Sequence, residues 1–106
     1  MCKCNMLNRN SNGYVALCPS CNSIQVRFDN ILLTFTRDEF ERFHSFVIFE
    51  LNKDLSGVDL DEKLYLYHTE SASVNMILSP SDLQRLDELI SPAEIVLKAA
   101  EIIFQN

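Results

Sequence analysis

The sequence predicts an α+β domain, with short antiparallel strands packed against two or three helices, on three observations. Apolar and polar residues alternate from Ile24 to Asp29, the period of a strand with one buried face, within an amino-terminal part that reads as short strands. A capping box at Thr36 then opens a run with helical spacing. Beyond residue 64 the same order of strands, cap and helix returns. With 106 residues, 47% of them hydrophobic, the chain has the size of one domain with a modest core. It reads as a cysteine-bearing subregion (1–28), a first hairpin-plus-helix unit (29–63) and a second unit that ends in an apolar helix (64–106).

Taken in order, Asn5 to Asn8 can pair with Tyr14 to Cys18 across a loop containing Asn12-Gly13, a dipeptide that accepts the positive backbone angles of tight turns. Ile24, Val26 and Phe28 alternate with Gln25, Arg27 and Asp29, and Asp29-Asn30 fits a two-residue hairpin turn. The next strand, Ile31 to Phe35, is apolar at nearly every position, which predicts cover on both faces. In Thr36-Arg-Asp-Glu39 the Thr36 hydroxyl can accept from the Glu39 amide while the Glu39 carboxylate accepts from the Thr36 amide. Phe35 and Phe40 flank this box as a hydrophobic staple. A helix from Arg37 to about Leu51 follows, with Phe40, Phe43, Val47 and Leu51 on one stripe and acids in the first turn. Asn52 to Lys63 is a polar, acidic loop.

Leu64 to His68 and Val74 to Leu78 are the next strands, and Ser79-Pro-Ser-Asp82 caps a helix whose apolar face holds Leu83, Leu86, Leu89 and Ile90. Leu33 to Phe40 aligns with Met76 to Leu83 in its apolar, cap, acid and staple positions. This period of 43 residues suggests a duplicated unit, although any strand followed by a capped helix shares the pattern. Ser91-Pro-Ala-Glu94 repeats the start signal, so the last segment is a separate helix or a continuation bent at Pro92. There Glu94, Lys98, Glu101 and Gln105 make one narrow polar stripe, and Ile95, Val96, Leu97, Ala99, Ala100, Ile102, Ile103 and Phe104 cover the rest. Such a helix must be buried on most sides, by the rest of the monomer or by a second subunit. The carboxy-terminal helix is therefore read as the interface of a homo-oligomer, in its simplest form a homodimer.

The net charge is −6, yet residues 1–28 hold Lys3, Arg9 and Arg27 with no acid, while the remainder carries all fifteen acids. An acidic chain without a basic stripe is a poor match for a phosphate backbone, so no nucleic acid partner is expected. No apolar run reaches the roughly 18 residues of a membrane span, and the first residues lack the apolar stretch of a secretory signal. No membrane association is expected, and the reading is cytoplasmic.

All four cysteines fall in the first 21 residues, as Cys2-x-Cys4 and Cys18-Pro-Ser-Cys21. In a reducing compartment such a cluster reads as metal ligands or redox groups before it reads as a disulfide framework. Cys-x-x-Cys presents two sulfurs to one ion from a single turn, and Zn2+ favours four tetrahedral soft ligands in closed structural sites. The thirteen residues between the pairs suffice for one hairpin to bring them together. Cys2, Cys4, Cys18 and Cys21 are thus the candidate ligands of a structural Zn2+, whose charge the basic amino-terminal end would offset. Cys2-x-Cys4 needs a backbone turn, because Cβ atoms two apart on an extended strand lie roughly 7 Å apart.

Other sites weigh less. His44 or His68 could substitute as a ligand, but each reads first as an ordinary histidine, His44 at an exposed helix edge and His68 at a strand end. An amino-terminal thiol nucleophile at Cys2 would compete with the metal for the same sulfur. Thioredoxin-type chemistry requires the Cys-x-x-Cys at a helix start, whereas a strand pattern follows Cys21. The loop from Asp54 to Glu62 has Gly57 at its fourth place, where a calcium-binding EF-hand needs it at the sixth, and reads as a solvated loop.

Cys2-x-Cys4, Cys18-Pro-x-Cys21 and Asn30-Ile-Leu-Leu-Thr-Phe-Thr-Arg-Asp-Glu-Phe40 together resemble a small, uncharacterised bacterial family of zinc-ribbon-like proteins, over about the first half of the chain. The resemblance implies a cytoplasmic location and metal binding at the four cysteines, and brings no assigned activity. Cys2-x-Cys4 is shorter than the paired knuckles of ordinary zinc ribbons, a departure that bears on Cys2. These readings together predict a non-enzymatic, zinc-stabilised interaction module that self-associates. The competing class is a thiol-based redox sensor or thiol enzyme that uses the cysteine cluster.

Overall fold

A computed structural model describes residues 3–103. Strands β1 (Asn5–Asn10), β2 (Gly13–Cys18), β3 (Ser23–Phe28) and β4 (Ile31–Phe35) form an antiparallel meander in sequence order. Helix α1 (Arg37–Leu51) follows, then an antiparallel pair, β5 (Tyr65–His68) and β6 (Asn75–Leu78), and helix α2 (Pro80–Ile103). The fold is α+β, as the sequence predicts, with two helices.

The core forms where the period-two and period-3.6 patterns meet. Ile24, Val26 and Phe28 are all buried, and they face Phe40, Phe43 and Val47 of α1 and Leu83, Leu86 and Leu89 of α2 within one apolar cluster. Strand β4 departs from expectation. Only Leu33 and Phe35 reach the core, while Leu32 is 54% exposed and Ile31 37%. The reason is position: β4 pairs with β3 alone, and its outward face meets no further layer. The apolar character that suggested double cover belongs to a sheet edge.

Both helix starts obey the predicted chemistry. The Thr36 hydroxyl accepts from the Glu39 amide at 3.2 Å, and the Thr36 amide donates to Glu39 Oε1 at 2.7 Å. Phe35 and Phe40 close the staple with ring centroids 6.4 Å apart. At α2 the Ser79 amide donates to Asp82 Oδ2 at 2.9 Å and the Asp82 amide to Ser79 Oγ at 3.0 Å, the same reciprocal box. Asp82 is nearly buried and also meets Lys63 and Arg85. Burial raises its carboxyl pKa, but the Lys63 ammonium and the Ser79 donors outweigh this and hold it below the ordinary carboxylate range.

One corner ties the sheet to α2. Arg85 donates to Asn12 Oδ1 at 3.0 Å, pairs with Asp29 at 2.5 Å and lies 4.7 Å from the Phe28 ring centroid. The Asp29 amide also donates to the Asn12 carbonyl at 3.2 Å, so the β1–β2 and β3–β4 turns meet there. The close approach sets the need for glycine at Gly13. Its φ is +154°, and a Cβ there would lie 1.7 Å from the Arg27 carbonyl oxygen. The positive angle expected of Asn12-Gly13 thus falls on the first residue of β2.

Helix α2 passes through Pro92 without interruption, which decides between the two readings of that segment. Proline has no N–H, so the Glu88 carbonyl one turn earlier loses its helical donor. Strand β1 supplies donors to this carbonyl and to its neighbour. The Asn8 side-chain amide donates to the Leu89 carbonyl at 2.9 Å and to the Glu88 carbonyl at 3.4 Å, and the Asn10 amide to the Glu88 carbonyl at 3.5 Å. A register shift between Met6 and Asn8 marks a bulge at this point of β1.

Beyond Pro92 the burial expected on most sides of the helix is not met by the monomer. Ile95 is 70% exposed, Ile102 72%, Ile103 68% and Val96 46%, whereas Ala93, Glu94 and Leu97 are buried. Of the polar stripe, Glu94 turns inward and pairs with Arg37 at the start of α1, Glu101 reaches the same guanidinium from the surface, and Lys98 is exposed. Phe104 and Gln105, which the sequence reading placed on this helix, lie outside the described residues.

Candidate metal centre and its surroundings

The β1–β2 register pairs Asn5 with Leu17, and one step further it sets Cys4 across from Cys18. Cys4 is exposed and Cys18, the last residue of β2, is buried. Residues 19–22 turn the chain into β3. The Asn22 amide donates to the Pro19 carbonyl at 3.3 Å, and Asn22 takes a left-handed φ of +50°, which asparagine tolerates better than most residues. The turn wraps backbone donors around one sulfur. Burial raises the Cys18 thiol pKa, but donation from the Ser20 hydroxyl, 3.7 Å from Sγ, from the Cys21 amide, from the Cys4 thiol and from the Ser20 amide lowers it overall. Cys4 moves the other way: loss of solvation raises it, and so do its hydrogen bond to Cys18 and the charge there. Of the pair, Cys18 is the sulfur that gives up its proton more readily, with the Ser20 and Cys21 amides and the Cys4 thiol around it.

This donor set fits a soft cation in part. The Cys18 and Cys4 sulfurs lie side by side, and a metal would displace their protons to gain both as ligands. Cys21 is disulfide-bonded, so its use as a ligand requires that bond to be reduced. Cys2 lies outside the described residues. Among the described residues no group of three or more His, Cys, Asp or Glu side chains is arranged to hold a metal ion. His68 instead pairs with Asn75 at 2.9 Å across β5 and β6.

His44 is not at an exposed edge. Its Nε2 lies 3.0 Å from Ser91 Oγ and its Nδ1 3.7 Å from Glu94 Oε2, between the two helices. Ser91 donates to Asp87 Oδ1 at 2.5 Å and so accepts from His44. A serine that has given its proton to a carboxylate is not poised for attack, and the Ser-His-Glu order here is a latch between helices. Arg37 completes it. Burial opposes its charge, but Glu101 and Glu94 more than compensate and raise its pKa. Sequence reasoning missed this cluster, since Arg37 and Glu94 stand 57 positions apart with no local signature.

Two contacts join the amino-terminal sheet to α2 on either side of Pro92. One is the Asn8 and Asn10 set on the carbonyls before Pro92. The other is a crevice of about 210 Å³ lined by Leu17, Asn22 and Ile24 on the sheet side and by Arg37, Leu97 and Glu101 on the helix side. In the acidic loop, Asp54 accepts from the Ser56 amide at 2.9 Å and Asp59 from the Asp61 amide at 3.0 Å, bonds that satisfy the loop's own backbone. No helix among the described residues is long and apolar enough to cross a membrane.

Residues 1–105 match a family described as a family of unknown function, DUF6686. No curated protein and no solved structure matches the chain.

Proposed function

For a chain that belongs to this family of unknown function, we propose a cytoplasmic, non-enzymatic interaction module, stabilised by structural Zn2+ at its cysteine turn and self-associating through α2. The observation that carries the reading is the outward stripe of Pro92, Ile95, Val96, Ala99, Ile102 and Ile103, spaced at three and four residues along the helix. Each of its isoleucines is about two-thirds exposed and gives up roughly 1–2 kcal/mol of the stabilisation that burial would provide. Together the side chains form a patch of several hundred Å², at the upper end of what a monomer ordinarily leaves uncovered. Ala99 lies at the centre of the stripe and permits close approach of a second helix. A two-fold pairing with another copy covers the stripe without requiring any other protein.

Metal binding is supported by the amide-bracketed Cys18 sulfur with Cys4 beside it. When bound, Zn2+ would supply a cross-link between the run-in to β1 and the β2–β3 turn. Purified full-length protein should contain one equivalent of zinc and no rapidly alkylated thiol. Four titratable thiols without metal would refute this half of the reading. Sedimentation across a concentration range tests the other half, with a monomer at every concentration as the refuting result.

The disulfide at Cys21 favours a second reading, a thiol-based redox sensor. It predicts a fast-reacting Cys18 in the reduced protein that a chelator does not unmask, whereas the zinc reading predicts unmasking.

A further inference from the structure

Strand β1 touches both ends of the proposed machinery, with Cys4 at its start and Asn8 and Asn10 on the helix. Resting on the function proposed above, we propose that β1 transmits the state of the cysteine turn to the distal half of α2, so that metal occupancy controls self-association. The link has identified parts. Pro92 strips the Glu88 carbonyl of its helical donor, and the Asn8 and Asn10 side-chain amides stand in for it at 3.4 and 3.5 Å, while the shorter bond from Asn8, 2.9 Å, anchors the strand to the neighbouring Leu89 carbonyl. Asn8 can reach those carbonyls because the bulge after Met6 shifts the register of the strand. The position of that bulge is fixed from one side by the Asn8–Val15 to Asn10–Gly13 pairs and from the other by Asn5 and Met6 against Leu17 and Ala16. Directly before Asn5 stands Cys4. A bond from Cys4 to a metal shared with the β2–β3 turn pins the open end of an edge strand that otherwise ends on exposed residues.

Releasing that end frays β1 toward the bulge and withdraws the donors from the carbonyls before Pro92. Asn22 lines one wall of the crevice and Leu97 and Glu101 the other, so disorder in the cysteine turn also removes the support of the distal helix. The helix then bends or frays at Pro92, the place where its own ladder is weakest. Its stripe loses the straight register that pairing with a second copy needs.

The test uses the intact zinc-loaded protein, read by amide hydrogen exchange and by sedimentation. A strong zinc chelator should speed exchange at residues 93–103 at least tenfold and raise the dimer dissociation constant at least tenfold. Asn8→Ala should reproduce both effects with zinc still bound. Pro92→Ala should reduce the Asn8→Ala effect, because an alanine at this position gives the Glu88 carbonyl its own helical donor again. Asn8→Asp, which keeps the shape but not the donor, guards against a packing artefact and should behave as Asn8→Ala does. A zinc-bearing dimer whose distal helix ignores both chelation and Asn8→Ala overturns this coupling while leaving the proposed function intact. An Asn8→Ala, Pro92→Ala double variant no better than Asn8→Ala alone overturns it equally. A wild-type protein without zinc, or one that is strictly monomeric, refutes the underlying reading instead.

Discussion

Replacing Arg37 by alanine should destabilise the protein far more than its place at a helix start suggests. Glu94 is 4% exposed, and Arg37 is the cation that pairs with it, with His44 Nδ1 next at 3.7 Å. Loss of the guanidinium leaves a carboxylate inside the helix interface with most of its compensation gone. Removing one partner of a buried pair costs about 3–5 kcal/mol, and the partial exposure of Arg37 places this case near 3 kcal/mol. The converse substitution is milder. In Glu94→Leu, Arg37 keeps Glu101 at 3.2 Å and is itself partly exposed, so about 1 kcal/mol is expected. The double variant should recover to within roughly 1 kcal/mol of wild type, since apolar replacement of a buried pair is often neutral. Urea unfolding of the four proteins with unchanged m-values measures the cycle. Additive costs, or an Arg37→Ala loss below about 1 kcal/mol, would refute the assignment of Glu94 as a buried charge held by Arg37.

Ile95→Glu with Ile102→Glu should shift sedimentation to the monomer and leave the unfolding midpoint of that monomer within about 0.5 kcal/mol, because both side chains already face outward. Asp82 has a depressed pKa in the folded state, so its contribution to stability is complete above its unfolded pKa of about 3.9 and is lost as pH falls through the lower folded value. Asp82→Asn should flatten that part of an acid unfolding curve, and an unchanged acid limb would count against the cap and ion pairs described. Gly13→Ala should cost at least about 3 kcal/mol or prevent folding, as the added carbon would overlap the Arg27 carbonyl. Gly57→Ala provides the contrast, at roughly 1 kcal/mol, since its φ is +75° but nothing lies within 4 Å of the added carbon.

The parts of the fold that were legible in the sequence are those whose causes are local. The capping boxes at Thr36 and Ser79 act over three residues, and both formed with the partners expected. Alternation in β3 named its buried side chains because β3 has neighbours on both edges. Composition misled at β4, since an apolar run does not reveal whether a second layer exists to cover it. At α2 the polar stripe was drawn, but the burial of Glu94 within it was not legible, since charge ordinarily faces water and only the distant Arg37 makes an inward-facing glutamate favourable. Within the candidate site, Cys4 and Cys18 came together as a hairpin requires. Their unequal proton affinities could not be read from spacing, because these depend on where the Ser20 and Cys21 amides point.

The bonds from Asn8 to α2 span about 80 positions, so β1 and its cover are made at nearly opposite ends of the sequence. The meander closes through neighbouring strands and α1 packs from the next segment, contacts that form quickly because little chain entropy is lost in making them. Docking of α2 is the slow, non-local step. During synthesis β1 therefore waits without the contacts that Asn8 and Asn10 make to α2 until that helix has emerged. Variants that delay the docking of α2 should be lost to aggregation before they are lost to instability.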